Sequence, residues 1–181
     1  MPHRLDRGMG LVGQLKGRMG DPGSLLGIVP LLLESKFSIA GVGNLADTTD
    51  DTLFSTTIKA KTLPKDGDRL VVSAWGVFAV NGNNKRVTMQ FGATTLVSSG
   101  VVVLNGKAWW LIAEIVRSGA ATQLGIGEYT ADTATAEVMT KTAPAENLAA
   151  DIVLKVTGAS PTTGAANDVL AHGYSILGLK N

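Results

Sequence analysis

Between residues 68 and 123 the chain repeats its side-chain character every second residue, the period of a pleated strand whose successive side chains point to opposite faces. In 68–80, Leu70, Val72, Ala74, Gly76, Phe78 and Val80 share one face, and Val71, Ser73, Trp75, Val77 and Ala79 share the other. Asn81-Gly82 comes next. That pair accepts the positive φ angles of a primed turn, whose twist matches paired strands, so the spacing predicts a hairpin here, with Asn83 and Asn84 in a slightly longer loop. The returning stretch directs Val87, Met89 and Phe91 toward a core and Arg86, Thr88 and Gln90 toward water, as in an antiparallel sheet with one wet side.

Strands are also predicted over 36–41, 52–61, 107–117, 120–129, 133–140, 151–159 and 169–179, with two brief ones at 94–97 and 101–104. Turn chemistry separates them: Leu63-Pro64-Lys65-Asp66-Gly67-Asp68, Ser98-Ser99-Gly100, Ser118-Gly119, and Asn105-Gly106 as a second hairpin signal. About nine strands with short turns and no helix make an all-β chain, an antiparallel two-sheet sandwich. A jelly roll is the expected topology; an immunoglobulin-like sandwich has compatible spacing.

Composition agrees with strands and narrows the function. The 181 residues hold 22 glycines, only 17% charged residues and no cysteine. A chain of this size buries roughly 70% of its unfolded surface, so it needs neither disulfide nor metal to fold. Sixteen basic against fifteen acidic side chains give a net charge of +1, too balanced for binding nucleic acid through its phosphates.

Residues 1–35 differ from 36–181. Glycines at 8, 10, 13, 17, 20 and 23 each cost a helix about 1 kcal/mol relative to alanine, which points to an extended arm. Arg4, Arg7, Lys16 and Arg18 meet only Asp6 in the first twenty residues, so the arm is locally basic. An apolar run follows, with Leu25, Leu26, Ile28, Val29, Leu31, Leu32 and Leu33 interrupted by Gly27 and Pro30. It is short of the roughly 20 residues a membrane span requires. Glu34 and Lys36 separate it from Ser38-Ile39-Ala40, which argues against a secretory signal. The basic residues and the apolar hook are the expected attachment to a partner, ordered on binding, with packing of the arm on its own domain as the alternative.

Residues 107–117 are apolar on both sides. Trp109, Leu111, Ala113 and Ile115 occupy one face, while Trp110, Ile112 and Val116 occupy the other beside a single charge, Glu114. One face belongs to the core. The second needs cover, and with Trp75 and Val77 it forms the expected surface of a homo-oligomer, a trimer, unless a loop or the apolar run folds over it.

Residues that could carry chemistry are few. His3 lies in the arm and His172 inside the last predicted strand, where a structural role is expected. Asp151 or Asp168 could complete a Ser-His-Asp set, but no Gly-x-Ser-x-Gly elbow exists. Glu114 and Glu128 fall on neighbouring predicted strands without sugar-binding aromatics beside them. The run from Ile39 to Ala46 fits G-x-G-x-x-A, but a strand rather than a helix is predicted to follow, leaving no helix N-terminus for a pyrophosphate. Asp47, Asp50 and Asp51 lack calcium-loop spacing and read as a turn. The chain is therefore expected not to be an enzyme and to hold no cofactor or metal.

The residues from Leu63 to Ala79, from Val87 to Leu96, and from Trp110 to Gly119 with Thr122-Gln123 resemble the jelly-roll modules of tailed-bacteriophage virion proteins. The resemblance covers about 36–180, rests on pattern and turn positions, and has no counterpart for the arm. It implies a trimeric structural protein exposed on a virus particle, with the major capsid protein as partner. A capsid decoration, or cement, protein is the expected role. The alternatives are a tail or tail-fibre component that binds a host-surface receptor and a soluble glycan-binding module, the latter opposed by the scarcity of aromatic residues, 5%.

Overall fold

The computed structural model describes residues 30–133 and 137–181. Ten strands run through them: β1 (Pro30–Gly43), β2 (Asp51–Ile58), β3 (Arg69–Phe78), β4 (Arg86–Phe91), β5 (Thr94–Ser98), β6 (Ala108–Gly119), β7 (Thr122–Ala131), β8 (Glu137–Thr142), β9 (Ile152–Ala159) and β10 (Val169–Leu179). They form two antiparallel sheets, one of six strands in the order β1-β10-β3-β6-β7-β8 and one of four in the order β2-β9-β4-β5. The pairs β4–β5, β3–β6, β2–β9 and β1–β10 are nested in sequence around the innermost β4–β5 hairpin. One long hairpin has thus been rolled across two sheets, which is the jelly roll. The β7–β8 hairpin is an addition between β6 and β9 that widens the larger sheet.

The period-two pattern survives intact in the central strands. Leu70, Val72, Ala74 and Phe78 on β3, and Trp109, Leu111, Ala113 and Ile115 on β6, are all buried between the sheets. Each large aliphatic side chain removed from water there contributes about 1.5–3 kcal/mol. Gly76 makes room for Trp109: a Cβ at that position would lie 2.5 Å from the indole ring and 1.9 Å from the carbonyl oxygen of Leu170. β2 does not alternate strictly: its pairing with β9 shifts register between Thr52 and Phe54, and Leu53, Phe54 and Ile58 all pack toward the core.

The ten strands agree with the about nine expected. Three expectations need correction. The first strand begins at Pro30, so the boundary between 35 and 36 falls inside β1, and Leu31, Leu32 and Leu33 lie in a strand rather than in an arm; Leu31 and Leu32 pair with Gly178 and Leu177. Asn81-Gly82 does not close a hairpin, since β3 belongs to the six-stranded sheet and β4 to the four-stranded one. Asn105-Gly106 likewise sits on a crossing between sheets, and 101–104 contributes only a single bridge, Val102 to Lys85.

Asn81 works through its side chain instead. Asp168 is buried at this end of the sandwich and accepts hydrogen bonds from Asn81 Nδ2 (2.6 Å), Asn83 Nδ2 (2.9 Å) and Ser160 Oγ (2.7 Å). The ammonium of Lys85, also buried, donates to the backbone carbonyls of Asn81 and Asn83 at 3.0 Å each. The loop between β3 and β4 is therefore wrapped around one buried cation and tied to the start of β10 by one buried anion.

Candidate functional site

The outer face of the six-stranded sheet is the most unusual surface among the described residues. Strand register places its side chains in rows. Phe37, Gly173, Trp75, Trp110 and Thr130 lie opposite one another across β1, β10, β3, β6 and β7. The next row runs Ser35, Ser175, Ser73, Ile112, Glu128 and Met139, and the one beyond it runs Leu32, Leu177, Val71, Glu114, Ile126 and Lys141.

An aromatic ridge forms where the first row crosses the sheet. The rings of Trp75 and Trp110 stack at 5.4 Å with an interplanar angle of 22°. Trp75 also lies flat over Gly173, where a Cβ would come within 2.4 Å of the indole. The ridge is supported from below by the backbone and open above: Trp110 is 43% exposed, against 2% for its neighbour Trp109 in the core. Ile112, Ile126 and Phe37 extend the open apolar area.

Two pairs of polar groups on this face satisfy each other. Arg69 donates to Glu114 at 2.9 Å, and the hydroxyls of Ser73 and Ser175 share a hydrogen bond at 2.8 Å. Such internal pairing lowers the cost of taking the face out of water, because neither partner is left unbonded when solvent leaves. Contiguous apolar surface of this kind marks interaction sites.

Trp75, Val77, Trp110, Ile112 and Val116 all point outward on this one face, on β3 and β6. Of the attachment residues, Leu31, Leu32 and Leu33 sit on the edge strand β1 and are exposed, although Leu33 packs over Gly178. Arg4, Arg7, Lys16, Arg18, Leu25, Leu26, Ile28 and Val29 lie outside the described residues. Sequence reasoning missed Phe37, Ile126 and Leu177 as members of the face. Their apolar character was visible, but membership depends on register with strands far away in sequence.

The remaining candidates are engaged in structure. His172 fills the irregularity where β1 and β10 slip register, with Nδ1 3.0 Å from the carbonyl oxygen of Ser38. It therefore does not join Ser160 and Asp168 in a triad. Glu114 and Glu128 are diagonal neighbours across β6 and β7, and Arg69 holds the first. Asp47 caps its own turn by accepting from Thr49, Asp50 pairs with Arg86, and Asp51 accepts from the amide of Leu45. Asp151 holds Lys59 and the amide of Ala60.

A polar cluster missed by sequence reasoning joins β1 to both sheets. The carboxylate of Glu34 accepts from the hydroxyls of Tyr174 and Thr56. Burial raises the cost of its charge, yet the bonds from Thr56, Tyr174 and Lys36 outweigh this and hold its carboxyl below the ordinary value. No protein-family model matches the chain, and no curated protein matches it.

Proposed function

We propose that the chain is a structural subunit of a tailed-bacteriophage particle, a capsid decoration protein that binds the head shell as a homotrimer and stabilises it. The observation that carries this reading is the outer face of the six-stranded sheet, where Trp75, Trp110, Ile112 and Ile126 present contiguous apolar surface on a rigid sheet. A flat, preorganised face of that kind suits burial against another protein surface, since little side-chain freedom is lost on docking. The jelly-roll topology is the one that the resemblance to phage virion modules implies. In this reading identical copies cover the face, and the major capsid protein receives the N-terminal residues together with the exposed leucines of β1.

Copy number separates this role from its nearest rival. Quantitative mass spectrometry of purified particles is expected to find the chain in hundreds of copies, one set of trimers over the head. A handful of copies would overturn the decoration role and place the chain in the tail. Absence from particles would overturn both.

A further inference from the structure

β1 and β2 are edge strands of the two sheets and meet on one side of the sandwich, where Glu34 reaches Thr56. Beside that link the strip between them opens into a cleft of about 300 Å³. Leu33, Ile58 and Ile176 give it apolar walls, with Thr56, Lys59 and Thr62 around them, and every lining residue is a described one in β1, β2, β10 or the turn after β2. Two leucines of β1 are oriented as core residues here without being covered as such. Leu32 lies in an outward row, so Leu31 turns inward, and the register shift between Leu32 and Glu34 turns Leu33 the same way, over Gly178. Yet Leu31 is 56% exposed and Leu33 37%, against 0% for Ile176 on the adjacent strand. Covering them would recover apolar burial that the edge of the core now lacks.

The chain carries a fitting cover next to the cleft. Residues 1–29 end at Pro30, which pairs with Leu179; the following Lys180 donates to the carbonyl of Thr62 at the cleft, so the chain enters β1 at the cleft's own end of the sandwich. Leu25, Leu26, Ile28 and Val29 all fall within five residues of Pro30, a reach of roughly 17 Å. They form a run without a charged side chain, as apolar walls require, and Gly27 lets the run bend back on itself. A segment on so short a tether acts at roughly millimolar effective concentration, so at micromolar protein its own copy prevails over a neighbouring one.

We propose that residues 25–29 dock in the β1–β2 cleft of their own copy, with Leu25 and Leu26 covering Leu31 and Leu33 and completing the core at this edge. Neither the trimer nor the shell enters the argument. Combined with the proposed attachment, the docking leaves Arg4, Arg7, Lys16 and Arg18, together with the outward Leu32, for the shell, and makes the apolar run the anchor from which the basic residues extend.

The test uses the full chain, which has no cysteine, so a disulfide between two introduced cysteines reports their approach. Leu25→Cys, Leu26→Cys and Ile28→Cys are each combined with Thr62→Cys, at the cleft, and with Leu177→Cys, on the outward face two residues from the partner of Pro30. Under mild oxidation at micromolar concentration, at least one cleft pair is expected to close within a single chain at least about tenfold faster than its outward counterpart, because docking holds the segment on one side of β1. Melting temperatures supply a second readout. Leu33→Ala and the paired Leu25→Ala and Leu26→Ala should each lower the melting temperature, and all three together should lower it by clearly less than the sum, since the side chains share one contact. The proposal is overturned if no cleft pair closes faster than its outward counterpart, if disulfides form only between copies, which would make a second copy the occupant, or if the two sets of alanine substitutions add in full.

Discussion

Asp168 illustrates how much a single residue can decide in this molecule. Burial opposes its charge, but bonds from Asn81, Ser160 and Asn83 and the nearby Lys85 ammonium prevail, so its carboxyl is held below the ordinary 3.8. A depressed carboxyl in the folded state means that the unfolded chain binds the proton more readily. Its stabilising contribution is therefore complete above the unfolded value and is lost as pH falls through the folded one. Chemical denaturation is expected to show stability declining below about pH 4, with a shallower decline in Asp168→Asn. At neutral pH that variant should cost about 3–5 kcal/mol, because the buried Lys85 ammonium loses its counter-charge. Glycines give a second ordering at this scale. Gly76→Ala forces a Cβ against the Leu170 carbonyl oxygen and Gly173→Ala forces one against Trp75, whereas Gly82→Ala meets nothing within 4 Å. Unfolding free energies from urea denaturation should therefore fall most for Gly76→Ala, by about 1–3 kcal/mol for Gly173→Ala, and hardly at all for Gly82→Ala. The Asn-Gly signal misleads on this point: Gly82 does not have a positive φ, so the demand for glycine that a primed turn would impose is absent.

At the scale of elements, β1 shows where local reading stops. Pro30 and the leucines after it look like a hook in sequence, yet they pair with β10 and make the first half of a strand that carries Glu34 to Tyr174 and Thr56. A chain beginning at Lys36 loses that carboxylate and strands the Tyr174 hydroxyl, so it should be less stable than one beginning at Pro30 by at least about 2 kcal/mol in equilibrium unfolding. Equal stabilities would mean that the pairing of 30–35 contributes nothing. The strands themselves were legible because each obeys a period that depends only on its own residues: the buried and outward faces of β3 and β6 follow the alternation read from 68–80 and 107–117. Which strand pairs with which was not legible. A turn signal specifies a reversal, and a jelly roll uses some reversals to cross between sheets. At the candidate face the same division holds, since Trp75 and Trp110 could be assigned to outward faces one strand at a time, while their stacking and their row-mates Phe37 and Thr130 depend on register between distant segments. The links from Asp168 to Asn81 and from Glu34 to Tyr174 had no sequence signal at all, because nothing local says which acid meets which donor.

For the whole molecule, the six-stranded sheet has one face in the core and another that carries an exposed apolar area around Trp110, Ile112 and Ile126, the area proposed above as the contact between identical copies. Association through Trp110 and Ile112 would be driven by removal of apolar surface from water, so it should persist when salt is raised, in contrast to contacts made by the basic residues near the N-terminus, which screening weakens. Placing an aspartate at position 110 would bury an unpaired charge in each copy, at a cost of several kcal/mol per contact. Analytical ultracentrifugation of the wild type and of Trp110→Asp at micromolar concentration measures this directly. The wild type is predicted to sediment as a trimer at both low and high salt, and Trp110→Asp as a folded monomer; a monomeric wild type, or a Trp110→Asp variant that stays trimeric, would contradict the assignment of this face as the subunit interface.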